Sequence, residues 1–124
     1  MQTNYHDEKG NIRKELLNED AEKRAREFKA STLTLTQLRK FYNEFKGLEK
    51  RVRAKGFDPV LPLIKMVCSR ASYASNRKNN KIPESFKDFL IKNVKAINEK
   101  RDFDAFLLHF EAVVGFCYGM GLKK

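Results

Sequence analysis

The chain has no tryptophan, only three prolines, two cysteines and two histidines. Each shortage removes a class of chemistry. Cys68 and Cys117 have neither a CxxC partner nor a histidine at ligand spacing, which excludes a zinc site built on cysteine pairs and a disulfide framework. Both fall in apolar helical patterns and read as buried or half-buried thiols of a reducing compartment, so a cytoplasmic location is expected. His6 and His109 stand alone. There is no HExxH, no GxSxG and no glycine-rich phosphate loop. No apolar run approaches the length of a membrane span, and the polar start, MQTNYHDEKGN, lacks the apolar stretch of a secretory signal.

Carboxylates that could form an acid–base pair are also scarce. Asp102 and Asp104 fall where a helix should begin, so they read as a cap and a first-turn charge that favour the positive end of the macrodipole. Glu111, inside the apolar run FEAVVGF, reads as an ion-pair partner at the edge of the core. No catalytic residue, metal or cofactor is expected, and the chain reads as a non-enzyme.

What the sequence does have is positive charge in one place. The formal net charge of 124 residues is +10. Residues 1–33 carry seven cations and seven anions, residues 34–82 twelve and three, and residues 83–124 seven and six. The excess is therefore central, and localised positive charge points to a polyanionic partner.

The apolar pattern is helical throughout. Residues 1–11 are polar and aperiodic and read as a loose N-terminal arm. Residues 12–124 read as a single all-α domain, a compact bundle of about five helices. The first helix, residues 12–29, has a narrow seam at Leu16, Leu17, Ala21, Ala25 and Phe28. Thr34 followed by Gln37 is a capping box that opens a second helix to Lys55, stopped by Gly56. Its buried face is Leu38, Phe41, Tyr42, Phe45, Leu48 and Val52. A third helix starts at Asp58–Pro59, with Asp58 as cap, and runs to Ala74 or just beyond. Pro83 opens a fourth and Asp102 caps a fifth.

At about 100° per residue, Arg39, Lys46, Lys50 and Arg53 share a narrow strip beside the buried face of the second helix. The projection predicts that strip to be free of acid, with Glu44 offsetting Lys40, Arg51 and Lys55 on the far side. The third helix adds Arg70 and Arg77 with Tyr73 between them on the same side, and Lys78 and Lys81 extend the field into the connector NRKNNK. Soluble helical faces normally interleave both signs. Such a strip suits phosphate contacts, which position a nucleic acid without reading its sequence. With no tryptophan and few exposed aromatics expected besides Tyr73, backbone tracking is the expected mode, rather than a base-stacking platform.

Three segments carry a family resemblance. LTLTQLRKFYNEF, residues 33–45, resembles the helix signature of the small subunit of type III-A CRISPR interference complexes, the Csm complexes. Ser72-Tyr73-Ala-Ser-Asn-Arg77 resembles that family's Ala-Tyr-x-x-x-Arg, and residues 103–114, FDAFLLHFEAVV, resemble its C-terminal helix. The order is right and the resemblance spans residues 12–121. Gly115-Phe-Cys-Tyr118 departs from the Ala-Tyr-His that often follows in the family.

The resemblance implies a helical subunit in antiviral defence without activity of its own. Several copies stack as an inner filament of a ribonucleoprotein, beside backbone and large subunits, and touch the guide RNA–target RNA duplex through basic residues. Arg39, Arg70 and Arg77 stand where the family has basic residues; Lys46, Lys50 and Arg53 come from the projection alone. The alternative reading is a stand-alone basic helical DNA-binding regulator. That would require base-reading residues near a helix start, where Gln37 and Arg39 qualify, but no helix-turn-helix spacing precedes them.

Overall fold

A computed structural model describes residues 4–124, and all of their regular structure is helical apart from an isolated bridge between His6 and Ile12. A short 3₁₀ turn at Lys14–Leu17 leads into α1 (Glu19–Lys29), α2 (Leu35–Lys55), α3 (Phe57–Lys65), α4 (Val67–Asn76), α5 (Glu84–Ala96) and α6 (Lys100–Gly119). The all-α class holds, with six α-helices where about five were expected among these residues.

The extra helix comes from a break in the expected third one. α3 and α4 part at Met66, four residues after Pro62. Pro62 removes only the bond its own N–H would make to the Asp58 carbonyl, inside α3. At Met66 the backbone stays helical and its N–H donates to the Pro62 carbonyl at 3.1 Å, while Ser69 N–H tightens the turn by donating to the Met66 carbonyl three residues back. The start differs as well. Gly56, at φ 91°, is the one residue between α2 and α3, so α3 opens at Phe57 and Asp58 lies in its first turn rather than at its cap. Only glycine adopts that φ at little cost. The cap expected of Asp102 is likewise displaced. α6 begins at Lys100, and the Asp102 carboxylate reaches back to accept the Asn98 and Glu99 amides, each at 3.1 Å.

One cluster of buried side chains runs through the molecule, and phenylalanine is its commonest residue, with nine members. Phe28, Phe45, Phe86, Phe103, Phe106 and Phe110 are fully enclosed. Phe45 meets Phe106 edge-on at 4.9 Å, and Phe28 meets Phe86 at 5.3 Å. These are the offset and edge arrangements that aromatic quadrupoles favour. α1 lies against α6, α4 against α5, and α2 against both α3 and α6.

The start of the chain differs from the loose arm expected over residues 1–11; residues 1–3 lie outside the described residues. Asp7 caps a tight turn, its carboxylate accepting the Lys9 and Asn11 amides, and Arg13 N–H donates to the Tyr5 carbonyl. This folds Tyr5 back into the core, where it is 2 % exposed. Its hydroxyl bonds the Asn93 side chain at 2.9 Å, and the Asn93 amide donates to the Phe89 carbonyl. A buried phenol must find such a partner, and a buried asparagine supplies one.

His109, which stands alone in the sequence, is buried too. His109 Nδ1 lies 2.5 Å from the Leu16 carbonyl and donates to it, so the last helix ties down the turn before α1. Burial holds the ring's pKa below its ordinary value, so it is neutral near pH 7. Glu111, by contrast, is exposed and makes no ion pair among the described residues. A helix position between apolar neighbours in sequence can still point outward, because neighbours lie about 100° apart.

Candidate nucleic-acid interface

The start of α2 is held by bonds at both ends of one amide. Gln37 N–H donates to the Thr34 hydroxyl at 3.1 Å, and Thr34 N–H donates to Gln37 Oε1 at 3.0 Å, which completes the expected capping box. Gln37 Nε2 then donates across the fold to Asn80, at 2.9 Å to its side-chain oxygen. Asn80 sits at φ 57°, a left-handed conformation that asparagine tolerates better than most residues. Its backbone carbonyl also accepts Arg77 Nε at 3.1 Å and Nη2 at 2.8 Å. The α4–α5 connector is thereby fastened to the beginning of α2, and Arg77 is half-buried with part of its donor set in use.

Four of the eight expected contact residues line two depressions beside α2. Arg70, Tyr73 and Arg77 line a depression of about 380 Å³ between α2 and α4, together with Lys40, Phe41 and Glu44. Arg39 lines a second depression of about 490 Å³ with Lys40, Asn43, Tyr118 and Lys124. Lys40 belongs to both, so the two adjoin across the exposed side of α2. The second is closed by the last residues of the chain: Leu35 N–H donates to the Lys123 carbonyl at 2.6 Å, and Thr36 Oγ1 to that of Lys124 at 3.0 Å.

Lys46, Lys50 and Arg53 lie further along α2 and line neither depression. Here the structure corrects the acid-free strip. Glu49 pairs with Lys46 at 2.8 Å and with Arg53 at 3.2 Å. Residues three and four apart on a helix are neighbours, and long side chains close the remaining angle, so a narrow projection misses this partner. The Glu49 hydrogen bond holds the Lys46 pKa up, and Lys46 in turn holds the Glu49 carboxyl down, so both stay charged.

Glu44 is also placed differently from the projection. It pairs with Arg70 across the α2–α4 depression rather than offsetting Lys40, Arg51 or Lys55. Arg39, Lys50 and Lys78 are exposed and make no ion pair among the described residues. They are the expected contacts most available to an external anion.

Two residues at this surface escaped the sequence reading. Tyr118 is 46 % exposed beside Arg39, and Lys124 adds a cation from the tail. Tyr118 follows the buried Cys117 on α6, and the packing of α6 on α2 places it beside Arg39. Among the described residues no cluster of histidine, cysteine or carboxylate side chains could hold a metal. Both cysteines are free, and burial pushes the Cys117 thiol up to about 11. No helix is long and apolar enough to cross a membrane.

No curated protein and no solved structure is detectably similar to the chain. Residues 11–119, in contrast, match the family model described as Csm2 Type III-A. That span takes in all three resembling segments, the capped start of α2, the α4 row and all of α6. The chain therefore belongs to the Csm2 Type III-A family, the small-subunit family of the type III-A CRISPR Csm complex.

Proposed function

We propose that this protein is a non-catalytic, cytoplasmic small subunit that stacks in several copies as the inner filament of a Csm complex. It contacts the guide RNA–target RNA duplex through Arg39, Lys46, Lys50, Arg53, Arg70, Tyr73, Arg77 and Lys78. Residues 12–124 act in this as one domain. The observation that carries the reading is the outward set of cations on α2 and α4. A net excess of nine positive charges lies in residues 34–82, which fold as the adjoining helices α2, α3 and α4.

Cations spaced along a helix match the regular phosphates of a duplex, and each neutralised phosphate releases counterions. The test is a combined reversal, Arg39→Glu, Lys46→Glu and Lys50→Glu. Duplex RNA binding should weaken, and its dependence on log salt should flatten by about one unit per lost contact, by analogy with duplex DNA. An unchanged slope would remove this strip from the interface. The unmodified chain, incubated with RNA and magnesium, should leave the RNA intact; cleavage would overturn the non-catalytic reading.

A further inference from the structure

The two depressions beside α2 each present an exposed tyrosine among cations. Tyr73 is 70 % exposed, the most open large apolar side chain of the described residues, and Tyr118 is 46 % exposed. Ten other aromatic rings of this chain are phenylalanines, and most of them are buried in the core. The two tyrosines are thus set apart by position as well as by chemistry. Neither ring takes part in an aromatic pair among the described residues.

Their surroundings are of one kind. Tyr73 stands between Arg70 and Arg77, one turn away on either side, above Phe41 and Ala74. Tyr118 stands beside Arg39, Asn43 and Lys124, with Lys40 shared by both depressions. Glu44 is the one acid on these walls, and its carboxylate is already engaged by Arg70. An open π-face, an apolar floor and fixed cations nearby are the requirements for stacking a nucleobase while its phosphates are held. A duplex can meet such a ring only through its backbone, since its bases are already stacked inside. The charge is wrong for an acid-poor protein partner and right for a polyanion.

We propose that Tyr73 and Tyr118 stack unpaired nucleotides of an RNA strand, one on each side of Lys40, so that this face takes single-stranded as well as duplex RNA. This rests on the RNA-contacting reading above and adds to it a mode that backbone tracking does not include. It assigns Asn43, Tyr118 and Lys124 to the interface, and it makes Tyr73 a base contact rather than a phosphate contact.

The experiment compares the full chain with Tyr73→Leu, Tyr118→Leu, Tyr73→Phe and Tyr118→Phe. The probes are a labelled single-stranded oligoadenylate RNA and an RNA duplex of the same length, read by fluorescence anisotropy at one salt concentration. Each leucine variant should lose about tenfold in affinity for the single strand and severalfold less than that for the duplex, and each phenylalanine variant should match the unmodified chain on the single strand. Equal losses on both probes, or no loss on the single strand, would overturn the stacking proposal while leaving the duplex reading in place. Unmodified chain that binds neither probe would overturn both. Thermal melting of the variants identifies a folding defect, and ultraviolet cross-linking of the unmodified chain to the same oligonucleotide then decides. An adduct on Tyr73 or Tyr118 supports stacking, and adducts confined to other residues overturn it.

Discussion

α6 and α4 use their aromatic residues in opposite ways. α6 buries Phe103, Phe106 and Phe110 completely and closes the core against α1 and α2. α4 turns Val67, Ala71 and Ala74 inward, lies against α5 on those small residues, and leaves its one aromatic ring in solvent. Their polar residues differ in the same sense. The first turn of α6 is occupied by capping and by the Lys100–Asp104 pair, whereas α4 carries Arg70 toward α2 and no acid of its own. One helix is committed to the interior, and the other is thin on the inside and equipped on the outside. An exposed ring over an alanine-lined helix adds little to the fold, which leaves it available to a partner.

That contrast can be broken most directly at its buried end. Phe110→Ala removes a ring that touches Tyr42, Phe45, Phe86, Phe89 and Phe106. It should cost about 3–5 kcal/mol in denaturant unfolding. A much smaller cost would mean that α6 is not the packed helix described. His109 offers a second probe of the same helix. Unfolding exposes the ring and returns its pKa to the ordinary 6.5, so the unfolded chain takes up a proton that the folded chain resists. Stability should then be full above that value and decline as pH falls through the folded-state pKa. Asp20 opposes the shift, and Arg13 and Arg24 reinforce it. Denaturation midpoints between about pH 7.5 and 5 should fall for the natural chain and fall less for His109→Gln; superimposed profiles would refute the buried, neutral ring.

On the outer side the expected effects are smaller. Glu49→Gln frees Lys46 and Arg53 and should raise RNA affinity by a few fold at low salt, with less than about 1 kcal/mol lost from stability, since such pairs are largely solvated. Unchanged affinity would show that these two cations face away from RNA. Tyr73→Leu should be the mildest for the fold, within about 0.5 kcal/mol of the natural chain in thermal or chemical melts. A larger loss would mean that the ring supports α4, and the contrast with α6 would fade.

The features legible in the sequence were those set by neighbours a turn apart. The Thr34–Gln37 box, the buried face of α2 and the stop at Gly56 all follow from spacing within one helix. The features that were not legible depend on distant partners or on reach. A single tyrosine in a polar stretch gives no sign that Asn93, 88 positions away, will receive its hydroxyl. The Glu49 pairs were missed because a projection of backbone angles ignores how far lysine and arginine extend. The break at Met66 has no signal in the sequence, because the apolar spacing of Ile64, Val67 and Ala71 runs straight through it and Pro62 disturbs the turn before itself rather than the one after. The place of Tyr118 beside Arg39 depends on the packing of α6 against α2, two helices distant in the sequence.

The amide of Gln37 has a consequence for what can replace it. A glutamate at 37 would still offer an oxygen to the Thr34 amide, so as a helix start the two residues are interchangeable. Its second oxygen, however, would face the oxygens of Asn80 that now receive Nε2, and two acceptors would stand opposed with no proton between them. The exchange of one NH₂ for one oxygen would therefore leave the opening of α2 intact while uncoupling it from the connector that orients Arg77. Position 37 encodes a junction between two segments, written in a residue whose two ends speak opposite hydrogen-bonding languages.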